Sequence, residues 1–158
     1  MTETPAFLAN RLKSEGDKTL AFFYSFEDAK WEIKVYTEGT EWTVRNILAH
    51  FVSAEQGFLR LFRDILAGGA GAAEDFDIDR FNARQQEVTK SASHQELLRD
   101  FQEIRSEMIS FVNALSLQDL QREGRHPFLG LTTLAEMIKM IYRHNQIHYR
   151  DLRKLIDD

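Results

Sequence analysis

The chain has no cysteine, only two prolines, and no stretch approaching the ~18 uncharged apolar residues of a membrane span. Without cysteine there is no disulfide framework, no thiolate zinc site and no protein thiol nucleophile, and a reducing, cytoplasmic home is the simplest expectation. The N-terminus MTETPAFLANRLKSEG lacks a basic segment followed by an apolar one, so neither export nor membrane insertion is expected. A basic stripe is missing as well: 20 Lys and Arg stand scattered among 25 Asp and Glu, for a net charge of -5. Nucleic acid is therefore not an expected partner. What is present, 158 residues with 43% hydrophobic and 28% charged content, fits one domain over residues 1–158. A chain of that size can bury roughly 68–70% of its unfolded surface, enough for a core without cross-links.

Apolar residues recur at helical spacing in four long stretches. The first runs from Thr4 through Phe7, Leu8, Leu12, Thr19, Phe22, Phe23 and Phe26, with Pro5 in its opening turn. DAKWEIKVYTEGTE then loses that period, and the alternation Trp31, Ile33, Val35 predicts an irregular or extended crossover. A second helix opens at Trp42-Thr43, with Thr43 as cap, and carries Ile47, His50, Phe51, Ala54, Phe58, Leu61, Phe62 and Ile65. AGGAGAAED reads as a mobile loop, and DIDRFNARQQEVTK as a short helix capped by Asp77 or Asp79. A third long helix begins with the capping box Ser93 to Glu96 and runs through Leu97, Leu98, Phe101, Ile104, Met108, Phe111, Val112 and Leu115. SLQDLQREGRHPFLGLT is a broken connection. The fourth starts at Thr133 to Glu136, a second capping box, and continues to about Ile156 through Met137, Ile141, His144, His148, Leu152 and Leu155. The expected fold is an all-α four-helix bundle with long crossover connections, not simple up-down-up-down winding.

Three of the five histidines fall on these apolar stripes. His144 and His148 stand four residues apart on one face, and His50 follows Ile47 by three on the second helix. A buried imidazole needs a hydrogen-bond partner or a metal, because an unsatisfied polar group costs about 1–3 kcal/mol. Two imidazoles at i and i+4 can bind one ion with a third from a facing helix, leaving a coordination position open. The alternative, three independently satisfied histidines, stays open on spacing alone: five histidines give an i,i+4 pair by chance roughly one time in eight. Other metal templates fail. Asn145 stands where a zincin needs Glu, and Ile47, Ile141 and Asn145 occupy the positions of a di-iron Glu-x-x-His. Asp75, Asp77 and Asp79 start like a calcium loop, but Arg80 and Gln86 replace its Gly and closing Glu. His94 and His126 are expected at the surface. Arg143, Arg150, Arg153 and Lys154 read as a solvated basic face near a helix C-terminus.

EWTVRNILAHF, with Trp-Thr followed by His on the second helix, and HNQIHYRDLRKL, with His-x-x-x-His on the last, resemble the DinB-like superfamily of DNA-damage-inducible and YfiT-like metal-dependent proteins. The order of the helices fits over nearly the whole chain. The resemblance implies a crossed four-helix bundle, often a homodimer, in which His50, His144 and His148 bind a divalent ion, commonly nickel or zinc. Relatives often carry Gln three residues after the last histidine; Asp151 stands here, where it could pair with Arg150 or Arg153 or alter the surroundings of the site. Some relatives transfer a low-molecular-weight thiol, others isomerise maleylpyruvate with one. The implied activity is that of a metal-dependent thiol transferase or hydrolase acting on a small electrophilic substrate. Asn145, Tyr149 and Asp151 are candidates for supporting the ligands, Asn82 for lining the pocket, and Trp42 is expected to pack at the helix start. Rival classes are a non-catalytic metal-binding or stress-response module, and a helical interaction protein with buried histidines and no metal.

Overall fold

The computed structural model describes residues 3–156. Its four long helices are α1 (Pro5–Tyr24), α2 (Val44–Leu66), α4 (His94–Asn113) and α6 (Leu134–Ile156), joined by the shorter α3 (Ile78–Val88) and α5 (Leu117–Leu120). Two small antiparallel hairpins complete it, β1 (Lys34–Tyr36) with β2 (Trp42–Thr43) and β3 (Glu123–His126) with β4 (Gly130–Thr133). The starts are chemically marked. Thr4, Thr43, Asp77 and Ser93 each accept a backbone N–H of the following turn, satisfying donors that a helix leaves unpaired. At Ser93 the backbone N–H in turn donates to the Glu96 carboxylate and closes the expected box, whereas Glu136 donates its N–H to Thr133 but turns its carboxylate to Lys139.

Helices α1 and α2 each pack against both α4 and α6. Consecutive helices α1 and α2 therefore stand across the bundle from one another, which is what the long crossover at residues 25–43 permits. The crossover is partly ordered: a 3₁₀ turn at Asp28–Glu32 buries Trp31, and β1–β2 follows. The broken connection after α4 also holds more order than its sequence suggests, with α5 and the β3–β4 hairpin between Ser116 and Leu134. The glycine-rich loop after α2 is tied down. Ala72 N–H donates to Arg125 O and Arg125 N–H to Ala70 O, and a side chain at Gly71 would meet the Arg125 backbone at 2.6 Å.

The core divides into two apolar clusters. One gathers Leu8, Leu12, Phe58, Phe62, Met108, Met137 and Ile141; the other Phe23, Trp31, Ile47, Phe51, Phe101 and Leu152. The changeover falls between Phe51 and Phe58 on α2 and between Ile141 and Leu152 on α6. His144 and His148 lie at that seam on α6, and His50 faces them from beside Phe51 on α2. Phe7 and Leu155, at the ends of their stripes, stay exposed.

Candidate metal centre

His50 on α2 and His144 and His148 on α6 turn their rings toward one another. His144 Nε2 stands 3.0 Å from His50 Nε2 and 3.2 Å from His148 Nε2. One ligand nitrogen from each ring lies within 4.8 Å of the others. Nitrogens bound to a single divalent ion at ~2.0–2.1 Å are separated by about 2.8–3.4 Å at bond angles between octahedral and tetrahedral. Both spacings to His144 fall in that range, so the three residues could hold one ion.

The protonation of the cluster follows from its neighbours. Tyr36 O–H donates to the Asp151 carboxylate at 2.6 Å, and its oxygen lies 2.7 Å from His148 Nδ1. A phenol has one hydrogen, and the carboxylate can only accept. His148 must therefore donate Nδ1–H to Tyr36, which leaves its Nε2 as a bare lone pair facing the other histidines. Burial, reinforced by the Asp151 charge, raises the Tyr36 pKa well above its ordinary value and keeps that hydrogen in place. Burial also lowers the pKa of His50 to about 2 and of His144 to about 3, helped by the charge each neighbouring histidine would carry; His148 is lowered too, against the opposing pull of Asp151. All three are neutral at pH 7, the form in which imidazole binds a metal.

A cavity of about 320 Å³ opens beside His50 and His144. Phe58 and Leu61 of α2, Phe81 and Asn82 of α3, Phe76 of the preceding loop and Phe128 of the β3–β4 hairpin form its walls. Helix α3 is fixed there by Asn46, whose Nδ2 donates to Gln86 Oε1 at 2.8 Å while Gln86 Nε2 donates to Asn46 O at 2.8 Å. A second, polar groove of about 650 Å³ runs between α3 and the β1–β2 hairpin, past Tyr36, Trp42 and Asn46. Asn82 lines both spaces.

The expected residues separate by position. His50, His144 and His148 come together; Asp151 reaches the cluster through Tyr36; Asn82 stands at the cavity wall. Asn145 and Tyr149 face α1 instead, in a groove with Phe22, and Asn145 Nδ2 is buried without a hydrogen-bond partner among the described residues. Trp42 packs on the His50 ring at 4.9 Å. Two surface expectations are corrected. His94 is half-buried and stacks on Trp31 at 4.6 Å. His126 is 1% exposed, stacks on Phe58 at 5.1 Å, and accepts the N–H groups of Phe128 and Leu129 on Nδ1 because the hairpin folds back over α2. Tyr36 escaped the sequence reading because its partners lie more than a hundred residues away; the available signal was a polar aromatic in the same short alternating segment as Val35.

A crossed four-helix bundle with a three-histidine cluster beside an apolar cavity defines a class of helical proteins able to carry a metal centre. The chain belongs to the DinB superfamily, whose family model matches residues 11–152. No curated protein matches the sequence. Among solved structures it is similar to YfiT from Bacillus subtilis, described as "a probable metal-dependent hydrolase with an unusual four-helix bundle topology", at 19% identity and TM-score 0.77 over 94% of this chain and 83% of that one. It is also similar to DfsB, a sibling lethal factor precursor (16% identity, TM-score 0.76, 98% and 96% covered). A further likeness is to ClbS, a colibactin self-resistance protein solved with a dsDNA (16% identity, TM-score 0.66, 93% and 92% covered). At these identities the likeness concerns the fold.

Proposed function

We propose that this protein is a metal-dependent enzyme in which His50, His144 and His148 hold one divalent ion, nickel or zinc, and a small electrophilic substrate reacts beside it. The observation that carries the reading is the convergence of three imidazoles, two of which line an open cavity. A closed structural site would have no such access, so the cavity favours an enzyme over a non-catalytic metal-binding module. When bound, a divalent ion supplies Lewis acidity, which activates a water or steadies a thiolate at neutral pH. The protein's own share is orientation and exclusion. Asp151 and Tyr36 fix the His148 tautomer, the aromatic walls exclude bulk water, and Trp42 and Phe51 hold the His50 and His148 rings. The polar groove that adjoins at Asn82 supports a version with two substrates, in which a low-molecular-weight thiol lies beside the electrophile. A net charge of -5 supports a small molecule over nucleic acid as the substrate. By the resemblance, the working unit is a homodimer, and a chain without cysteine fits a reducing, cytoplasmic home.

Elemental analysis of tag-free protein, expressed without added nickel, tests the assignment. About one ion per chain is expected in the wild type, with loss in each of His50→Ala, His144→Ala and His148→Ala. Unchanged metal content in His144→Ala would remove that residue from the site.

A further inference from the structure

We infer that the substrate carries an apolar body the size of one or two fused rings, which enters the cavity beside His50 and His144 and presents its reactive polar group to them. The inference rests on the reading of the histidine cluster as a metal centre and adds the chemical class of what reacts there.

Four phenylalanines, Phe58, Phe76, Phe81 and Phe128, come from four different segments to wall one space. Two of them, Phe76 and Phe128, are exposed, although an aromatic ring gains by burial. The walls are mostly apolar; the polar side chains among them are His50 and His144, Asn82, and the exposed Arg60 and Asp64, of which Asp64 accepts the Gly71 N–H. A polyhydroxylated body lying against these four rings would shed water without gaining partners there, so it is selected against. An apolar body loses nothing and covers the exposed rings.

Size narrows the class further. An apolar cavity of roughly 150 Å³ holds one benzene, and this one measures about 320 Å³. That accommodates a naphthalene-sized group and is too small for a peptide helix. The loop carrying Gly71 and Ala72 is bonded to Arg125 of the hairpin, so the walls from the loop and from Phe128 stand in fixed relation. The space is held open by the fold.

Gly57 gives a clean way to fill it. It lies in the interior of α2, and a Cβ there would meet Phe81 Cζ at 3.6 Å, an ordinary contact. Gly57→Leu therefore extends a side chain into the cavity while improving helix propensity. The experiment is calorimetric titration of zinc-loaded wild type and Gly57→Leu with acetohydroxamate, benzohydroxamate, 2-naphthohydroxamate and a gluconic-acid hydroxamate. In parallel, 2-naphthalenemethanol, which has no metal-gripping group, is titrated into metal-free protein by its fluorescence.

In the wild type each added ring is expected to tighten binding about tenfold or more, and the gluconic tail to add nothing. Gly57→Leu should abolish the ring gain and the 2-naphthalenemethanol signal while retaining wild-type zinc stoichiometry. Equal affinities along the series, or tightest binding of the gluconic compound, would overturn the inference. Absence of bound zinc together with 2-naphthalenemethanol binding that Gly57→Leu removes would uphold the apolar ligand class and overturn the metal reading.

Discussion

Tyr36 decides which nitrogen of His148 carries the proton, and through that nitrogen it prepares the cluster to bind a metal. Removing its hydroxyl takes away the acceptor for His148 Nδ1–H and the link to Asp151 while leaving the ring in its hairpin. Tyr36→Phe should weaken zinc binding about 10–100-fold, as measured by competition with a chromophoric chelator, with the far-UV spectrum unchanged. Wild-type affinity in that variant would deny Tyr36 its positioning role. His126 makes a different prediction, because burial lowers its pKa from 6.5 to about 4 in the folded chain. The unfolded chain takes up a proton at pH ~6.5 that the folded one refuses. The stabilising effect is thus complete above that pH and is lost as pH falls from about 6.5 toward 4, on the order of 3 kcal/mol in all. Urea unfolding of metal-free wild type and His126→Phe across that range should show a shallower acid decline in the variant. Parallel declines would mean that His126 titrates alike in both states. The pair on α6 was legible because its i,i+4 spacing coincides with an apolar stripe. His126 was not, since its burial comes from a hairpin folding onto Phe58, and nothing within the hairpin itself reports that contact.

At the scale of elements, three bundle helices are tied by one buried ion pair. Arg105 of α4 grips the Glu55 carboxylate with two bonds of 2.8 Å and donates a third to the Leu12 carbonyl of α1; Arg105 is 4% exposed and Glu55 2%. Gly16 lets the guanidinium through, since a Cβ there would stand 2.9 Å from it. Glu55 sits little more than one turn beyond His50, so the same contact sets the depth of α2 in the bundle. Glu55→Ala leaves a buried cation without its partner and should cost about 3–5 kcal/mol in urea unfolding. A loss under 1 kcal/mol would mean that Arg105 reaches solvent or another acceptor. The long helices and most caps were readable, because Thr43 and Ser93 sit where an apolar period begins and Asp77 stands just before the short helix. The β3–β4 hairpin was hidden. Its arms are four residues each, and pairing between Glu123 and Thr133 is specified by the docking of Gly71 against Arg125 as much as by local propensity.

For the whole molecule, the candidate site lies at the seam between the two core clusters, where ligands from α2 and α6 meet. An ion bound by both helices binds the folded chain alone, so it should stabilise the protein by about 2.7 kcal/mol at a free concentration 100 times its Kd. Thermal unfolding should rise on adding zinc to metal-free wild type and stay flat in His144→Ala; an equal rise in both would place the ion elsewhere. The crossed arrangement was only half legible. Apolar stripes state which face of each helix is buried, and the long crossover argues against simple winding, but neither names the partner that each face meets. That α1 and α2 stand opposite one another emerges from packing across the bundle. Whether one ion sits on the three imidazoles with a side open to the cavity is read from an anomalous difference map of crystals of protein loaded with one equivalent of zinc. A single strong peak is expected about 2.0–2.1 Å from the Nε2 atoms of His50, His144 and His148, with the remaining coordination facing Phe58 and Phe128. No peak within that triangle, or a peak among the exposed carboxylates, would contradict it.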